Sequence, residues 1–205
     1  MLYKAPTKEE FINGIIEFEK REKRDAMYKV ATFLVSHFWG NPSDMADSLG
    51  VLLLTWNQAF YRYGIFDFEL LEKFLLENIK YFEDMRKRNI TSLKIEDEDK
   101  ITQLFNDLII VLQIASGKSK GKKSPVAVSK VLHLLAPNYF PLWDDKIARA
   151  YECYYSMNPA KQYFSFCRIM KWISKEVESY IDTSDKSILK LIDQYNYSKY
   201  TKEWI

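Results

Sequence analysis

Ile101, Leu104, Phe105, Leu108, Ile109 and Leu112 place apolar side chains at i, i+3, i+4, i+7, i+8 and i+11. A pattern of that length fits one face of an α-helix and no strand. The same period recurs through most of the 205 residues. Thr7 followed by Glu10 is a capping-box pattern ahead of Phe11, Ile15 and Phe18. A second helix is expected from Met27 to Trp39, stopped by "GNPSD" at residues 40–44, which also caps the next. The segment 44–60 is apolar almost all round between Leu49 and Trp56, the pattern of a central helix surrounded by others. Leu71, Phe74, Leu75, Ile79 and Phe82 mark a further helix. Val128, Val131, Leu132 and Leu135 form one stripe, leaving Ser129, Lys130 and His133 on another face. Ile147, Ala150, Tyr151 and Tyr154 continue helically, a long helix follows Pro159, and Ile188, Leu189 and Ile192 supply a last one. With no alternating pattern or internal repeat, the chain reads as all-α with about eight or nine helices. Residues 1–205 form one unit, or two helical lobes with a cleft between them.

Composition narrows the chemistry. Cys153 and Cys167 are the only cysteines, His37 and His133 the only histidines, so structural zinc and a cysteine-held iron–sulfur cluster are excluded and no metal or other cofactor is expected. The N-terminus has no apolar leader core, and no run approaches the roughly 18 apolar residues of a membrane span. A cytoplasmic protein with no membrane partner is the expectation.

Thirty basic against twenty-eight acidic residues leave +2, so any electrostatic partner must be read locally. From Ser116 to Trp143 the chain carries Lys118, Lys120, Lys122, Lys123 and Lys130 and no acid. "GKSKGKK" has three residues between its glycines where a phosphate-binding loop of nucleotide hydrolases has four, and no strand precedes it, so no nucleoside triphosphate is expected. A basic loop running into a helix near Pro125 suits a nucleic-acid phosphate, or is a solubilising surface loop. His133 reads as a half-exposed helical histidine or as a phosphate contact.

In "FPLWDDKIAR", Asp144 precedes a helical repeat and can cap it. The ten residues Phe140 to Arg149 also resemble, without a gap, the segment Phe-Pro-Ile-Leu-Asp-Gly-Asn-Val-Lys-Arg of the helix-hairpin-helix DNA glycosylases, especially the adenine-excising branch. "LGVLLLTWNQAF" at residues 49–60 resembles that family's central helix. The resemblance implies a DNA partner, with RNA as the alternative, and hydrolysis of the N-glycosidic bond of a damaged or mismatched base. Asp144 would be the catalytic carboxylate. Thr55, Asn57, Gln58 and Trp143 would border the base pocket. Lys118, Lys120, Lys122, Lys123, Ser124, Lys130 and Arg149 would contact the nucleic acid. Lys122, Lys123 and Ser124 stand where the family carries a glycine-bearing hairpin, and Val126 stands at the lysine used by members that also cleave the backbone, so hydrolysis alone is implied. The alternatives are a noncatalytic nucleic-acid-binding module and a helical protein-interaction domain in which Asp144 only caps.

Overall fold

The structure is a computed structural model, which describes residues 4–181 and 186–205. Among these residues there are ten α-helices and no strand. They are α1 (Lys8–Arg21), α2 (Ala26–His37), α3 (Pro42–Trp56), α4 (Gln58–Tyr61), α5 (Phe68–Arg86), α6 (Glu98–Val111), α7 (Pro125–Leu135), α8 (Asp145–Ala150), α9 (Pro159–Val177) and α10 (Ile188–Asn196). The all-α expectation holds: eight of the ten helices run seven residues or more, and α4 and α8 are shorter.

Local signals set many of the helix starts. Thr7 accepts from the Glu10 amide while Glu10 reaches back to the Thr7 amide, which opens α1. Asn41 caps α3 ahead of Pro42, and Asn158 caps α9 ahead of Pro159. Helix α3 packs on α2 and α5, α6 on α9, and α1 on α10, so the two ends of the chain close against each other. One apolar cluster runs from Phe11 through α3, α6 and α7 to Tyr195.

Three helical readings are corrected. The 44–60 segment breaks at Asn57, and Val51 is 56% exposed, so α3 is not enclosed on every side. Helix α8 stops at Ala150 and does not reach Tyr154. Glu152 turns to φ 54°, the Glu152 amide donates to the Arg149 carbonyl (3.1 Å) and the Cys153 amide to that of Ala148 (2.8 Å). That is a Schellman turn, and it overrides the continuing apolar spacing. In α7 the face carrying Ser129 and His133 is not a surface: both side chains are fully buried, because α2, α3 and α6 all pack on this helix.

Burial fixes the protonation of His133. Its Nδ1 lies 2.7 Å from the Phe140 carbonyl, which can only accept, so Nδ1 carries the proton and Nε2 accepts from the Tyr28 hydroxyl at 3.1 Å. Burial pushes its pKa down to about 4, against the opposing Phe140 hydrogen bond and with help from the Lys190 charge. A depressed value means that the unfolded chain takes the proton first. The stability His133 contributes is therefore present above its unfolded pKa of about 6.5 and is lost as pH falls toward 4. Between about pH 7 and pH 5 the expected loss is about 2 kcal/mol. Urea unfolding of wild type and His133→Gln at both pH values checks this: the variant should lose that much less on acidification, and equal losses would contradict it.

A carboxylate cavity beside a basic loop

The loop before α8 is held by its own carbonyls. Phe140 O accepts from His133, Pro141 O from the Tyr163 hydroxyl (2.9 Å), and Trp143 O from Ser129 (3.0 Å) and Tyr155 (3.3 Å). Its side chains are as constrained. Trp143 is 2% exposed and packs against Phe105, Tyr155, Tyr163 and Phe166, with ring centroids 4.5–6.0 Å away. The ring is part of the core, and it also lines the cavity that holds Asp144, with its indole Nε1 buried and without a hydrogen-bond partner among the described residues.

That frame delivers Asp144 to the start of α8. Asp144 Oδ1 accepts from the Ile147 amide (2.7 Å), the expected cap, and Oδ2 accepts from the Thr201 hydroxyl (2.6 Å). A carboxylate has about four lone-pair directions, so two remain after these bonds. Asp144 is partly exposed and lines a cavity of about 320 Å³, a volume at the lower end of small-molecule sites. Val126 and Lys130 of α7 share its wall, as do Trp56, Leu142 and Tyr197.

The Lys130 ammonium donates to Trp56 O (2.9 Å) and to Asn57 Oδ1, and lies over the Trp56 ring at 4.5 Å. Burial lowers its pKa to about 8, with Asp193 and Asp144 opposing the shift. Asn57 thus serves through Lys130, at the break between α3 and α4.

On the opposite wall, Lys190 is 3% exposed at its side chain and bridges Asp25 and Asp193, each at 3.2 Å. Burial raises the Asp193 pKa, and the Lys190 charge opposes it. Asp25 sits at φ 42°, a left-handed conformation that aspartate tolerates better than most residues, and its carboxylate goes to Lys190 instead of capping α2. With Glu22, four carboxylates and two ammonium groups among the described residues line the cavity.

No protein family, curated protein or solved structure matches this chain. Among the described residues no cluster of three or more His, Cys, Asp or Glu is placed to hold a metal, and no helix is long and apolar enough to cross a membrane.

The remaining residues singled out in the sequence lie elsewhere. Thr55 is exposed with its hydroxyl bonded back to the Val51 and Leu52 carbonyls, and Gln58 is exposed on α4; neither lines the cavity, because α3 presents Trp56 there. Arg149 is exposed and paired with Asp145 at 2.8 Å. Ser124 caps α7 by accepting from the Ala127 amide. Lys118, Lys120, Lys122 and Lys123 are exposed on the loop before it and do not line the cavity, while Lys120 lines a separate groove with Asp67 and Leu70.

That loop is built rather than loose. The Ile114 amide donates to Lys122 O (3.0 Å), the Gly121 amide to Ile114 O (2.8 Å), and Gly117 and Gly121 take φ of 77° and 81°, which a side chain would strain. The Ala115 amide donates to Ile65 O (2.8 Å), which lays the turn with Arg62 and Tyr63 along the loop. Both are exposed, Tyr63 by 75%, and they extend the basic surface with one more cation and an aromatic ring.

Sequence reading missed Arg62, Tyr63, Lys190, Asp193 and Thr201. "YRYG" was a usable signal, since an aromatic–basic alternation before glycine is a surface turn pattern. Asp193 was another: it falls four residues after Leu189, on the apolar stripe of α10.

Proposed function

We propose that the chain is a cytoplasmic nucleic-acid-binding protein that hydrolyses the N-glycosidic bond of a damaged or mismatched base in DNA, as its resemblance to the helix-hairpin-helix glycosylases implies. The observation that carries this reading is Asp144 on the wall of a cavity that also takes Val126 and Lys130 from α7, the helix opened by the basic loop. The division of charge supports it. Exposed lysines on the loop suit phosphates, while the carboxylate-rich cavity repels phosphate and favours a group on which positive charge develops, as on the sugar when the base departs. Reaching the cavity requires the target nucleotide to leave the stack.

A specific observation also favours a second reading. Both Asp144 oxygens are already bonded, to Ile147 and Thr201, and a noncatalytic binding module would need no more than that.

The nucleic-acid partner is tested by salt. Replacing Lys118, Lys120, Lys122 and Lys123 with Gln should weaken binding to a duplex and flatten the plot of log affinity against log salt by about one unit for each phosphate no longer neutralised. Fluorescence polarisation across a salt series gives the slope; an unchanged slope would remove the loop from the interface.

A further inference from the structure

A second basic surface lies on α9, in a groove of about 500 Å³ that shares no lining residue with the Asp144 cavity. Arg168, Lys171 and Lys175 stand at i, i+3 and i+7 on one face of the helix, with Trp172 between them. Lys94 and the 57% exposed Ile95 form the facing wall. Among the described residues no carboxylate lines the groove and none of these four cations forms an ion pair.

Both walls are fixed. The Lys171 ammonium donates to Leu93 O, tying α9 to the facing segment. That segment is held in turn by the paired hydrogen bonds of Arg88 with Asp97 (2.9 and 2.6 Å) and by the Tyr139 hydroxyl on Asp97 (2.9 Å). Burial alone would raise the Asp97 pKa, but these donors hold it at about 2. The groove is thus preformed, and Arg168, Lys175 and Lys94 are exposed in it.

We propose that this groove binds single-stranded nucleic acid, its phosphates on Lys94, Arg168 and Lys175 and one base stacked on Trp172. Charge complementarity selects a polyanion. From Arg168 to Lys175 the helix advances about 10 Å, room for more than one phosphate. The partly exposed indole selects against a polyanion without rings, and also against a duplex, whose base faces are covered. The inference does not rest on the base-excision reading: the Asp144 cavity and the loop before α7 play no part in it.

The test is titration with a fluorescein-labelled oligothymidylate at low salt, read by polarisation and by tryptophan quenching. Arg168→Glu/Lys175→Glu should weaken binding about tenfold or more, and Trp172→Leu about tenfold with loss of most of the quenching. The loop variant with four Lys→Gln changes should keep the quenching. No binding by wild type, unchanged affinity in the charge-reversed variant, or quenching lost in the loop variant would overturn the proposal. So would displacement by polyglutamate as effectively as by unlabelled oligothymidylate, which would assign the groove to acidic peptides.

Discussion

Lys190→Met is expected to lower the stability of the fold by about 3–5 kcal/mol at neutral pH. The ammonium is almost wholly buried, and its two partners, Asp25 and Asp193, are 21% and 14% exposed at their side chains. A buried ion pair contributes little net energy, because desolvating both charges offsets their attraction, but removing one member strands the other. Here the substitution strands two carboxylates in a cavity that already holds Asp144. The raised pKa of Asp193 supplies a further check. A carboxyl whose folded pKa lies above its unfolded value loses stability as pH rises through that range. The gap between variant and wild type should therefore narrow as pH falls toward the carboxylate range. Adding Asp25→Asn and Asp193→Asn to Lys190→Met should recover most of the stability. Urea unfolding that shows the single and triple variants equally weakened would mean that the Lys190 ammonium over the Phe18 and Tyr28 rings, and not its ion pairs with Asp25 and Asp193, holds α10 in place.

What the sequence revealed, and what it hid, divides along the same line. Helix α6 was legible because one face meets water, and a half-buried helix writes its period into its residues. The buried faces of helix α7 were not, because neighbours on several sides enclose Ser129 and His133 along with the apolar stripe. Once polar side chains are satisfied by distant partners, such as Phe140 O and Tyr28 for His133, hydropathy no longer reports the surface. The end of α3 depends on Asn57 meeting Lys130, a pairing 73 residues apart that no window of sequence shows. Asp144 as a cap was local and readable. Its second partner, Thr201, and the opposing Lys190–Asp193 pair come from the far end of the chain, so half the cavity could not be assembled from the stretch that first drew notice.

Asp144→Asn should leave the fold nearly untouched and remove the proposed chemistry. Asparagine keeps an oxygen to accept from the Ile147 amide, and the Thr201 hydroxyl can turn to accept from the new amide group, so the expected stability change stays within about 1 kcal/mol. The loop lysines do not line the cavity, so affinity for a duplex should not change. What disappears is the negative charge that the proposed chemistry sets beside the sugar, on which positive charge would develop as the base leaves. Removing one preorganised electrostatic interaction of that kind slows reactions by about 100-fold or more. The direct measurement is the yield of abasic sites from duplexes carrying different lesions, incubated with wild type or with Asp144→Asn. Base release by wild type from at least one lesion, reduced about 100-fold or more in the variant at equal DNA affinity, is the predicted result. Equal release by both proteins, or none by wild type from any lesion, would contradict it and leave Asp144 as the cap of α8.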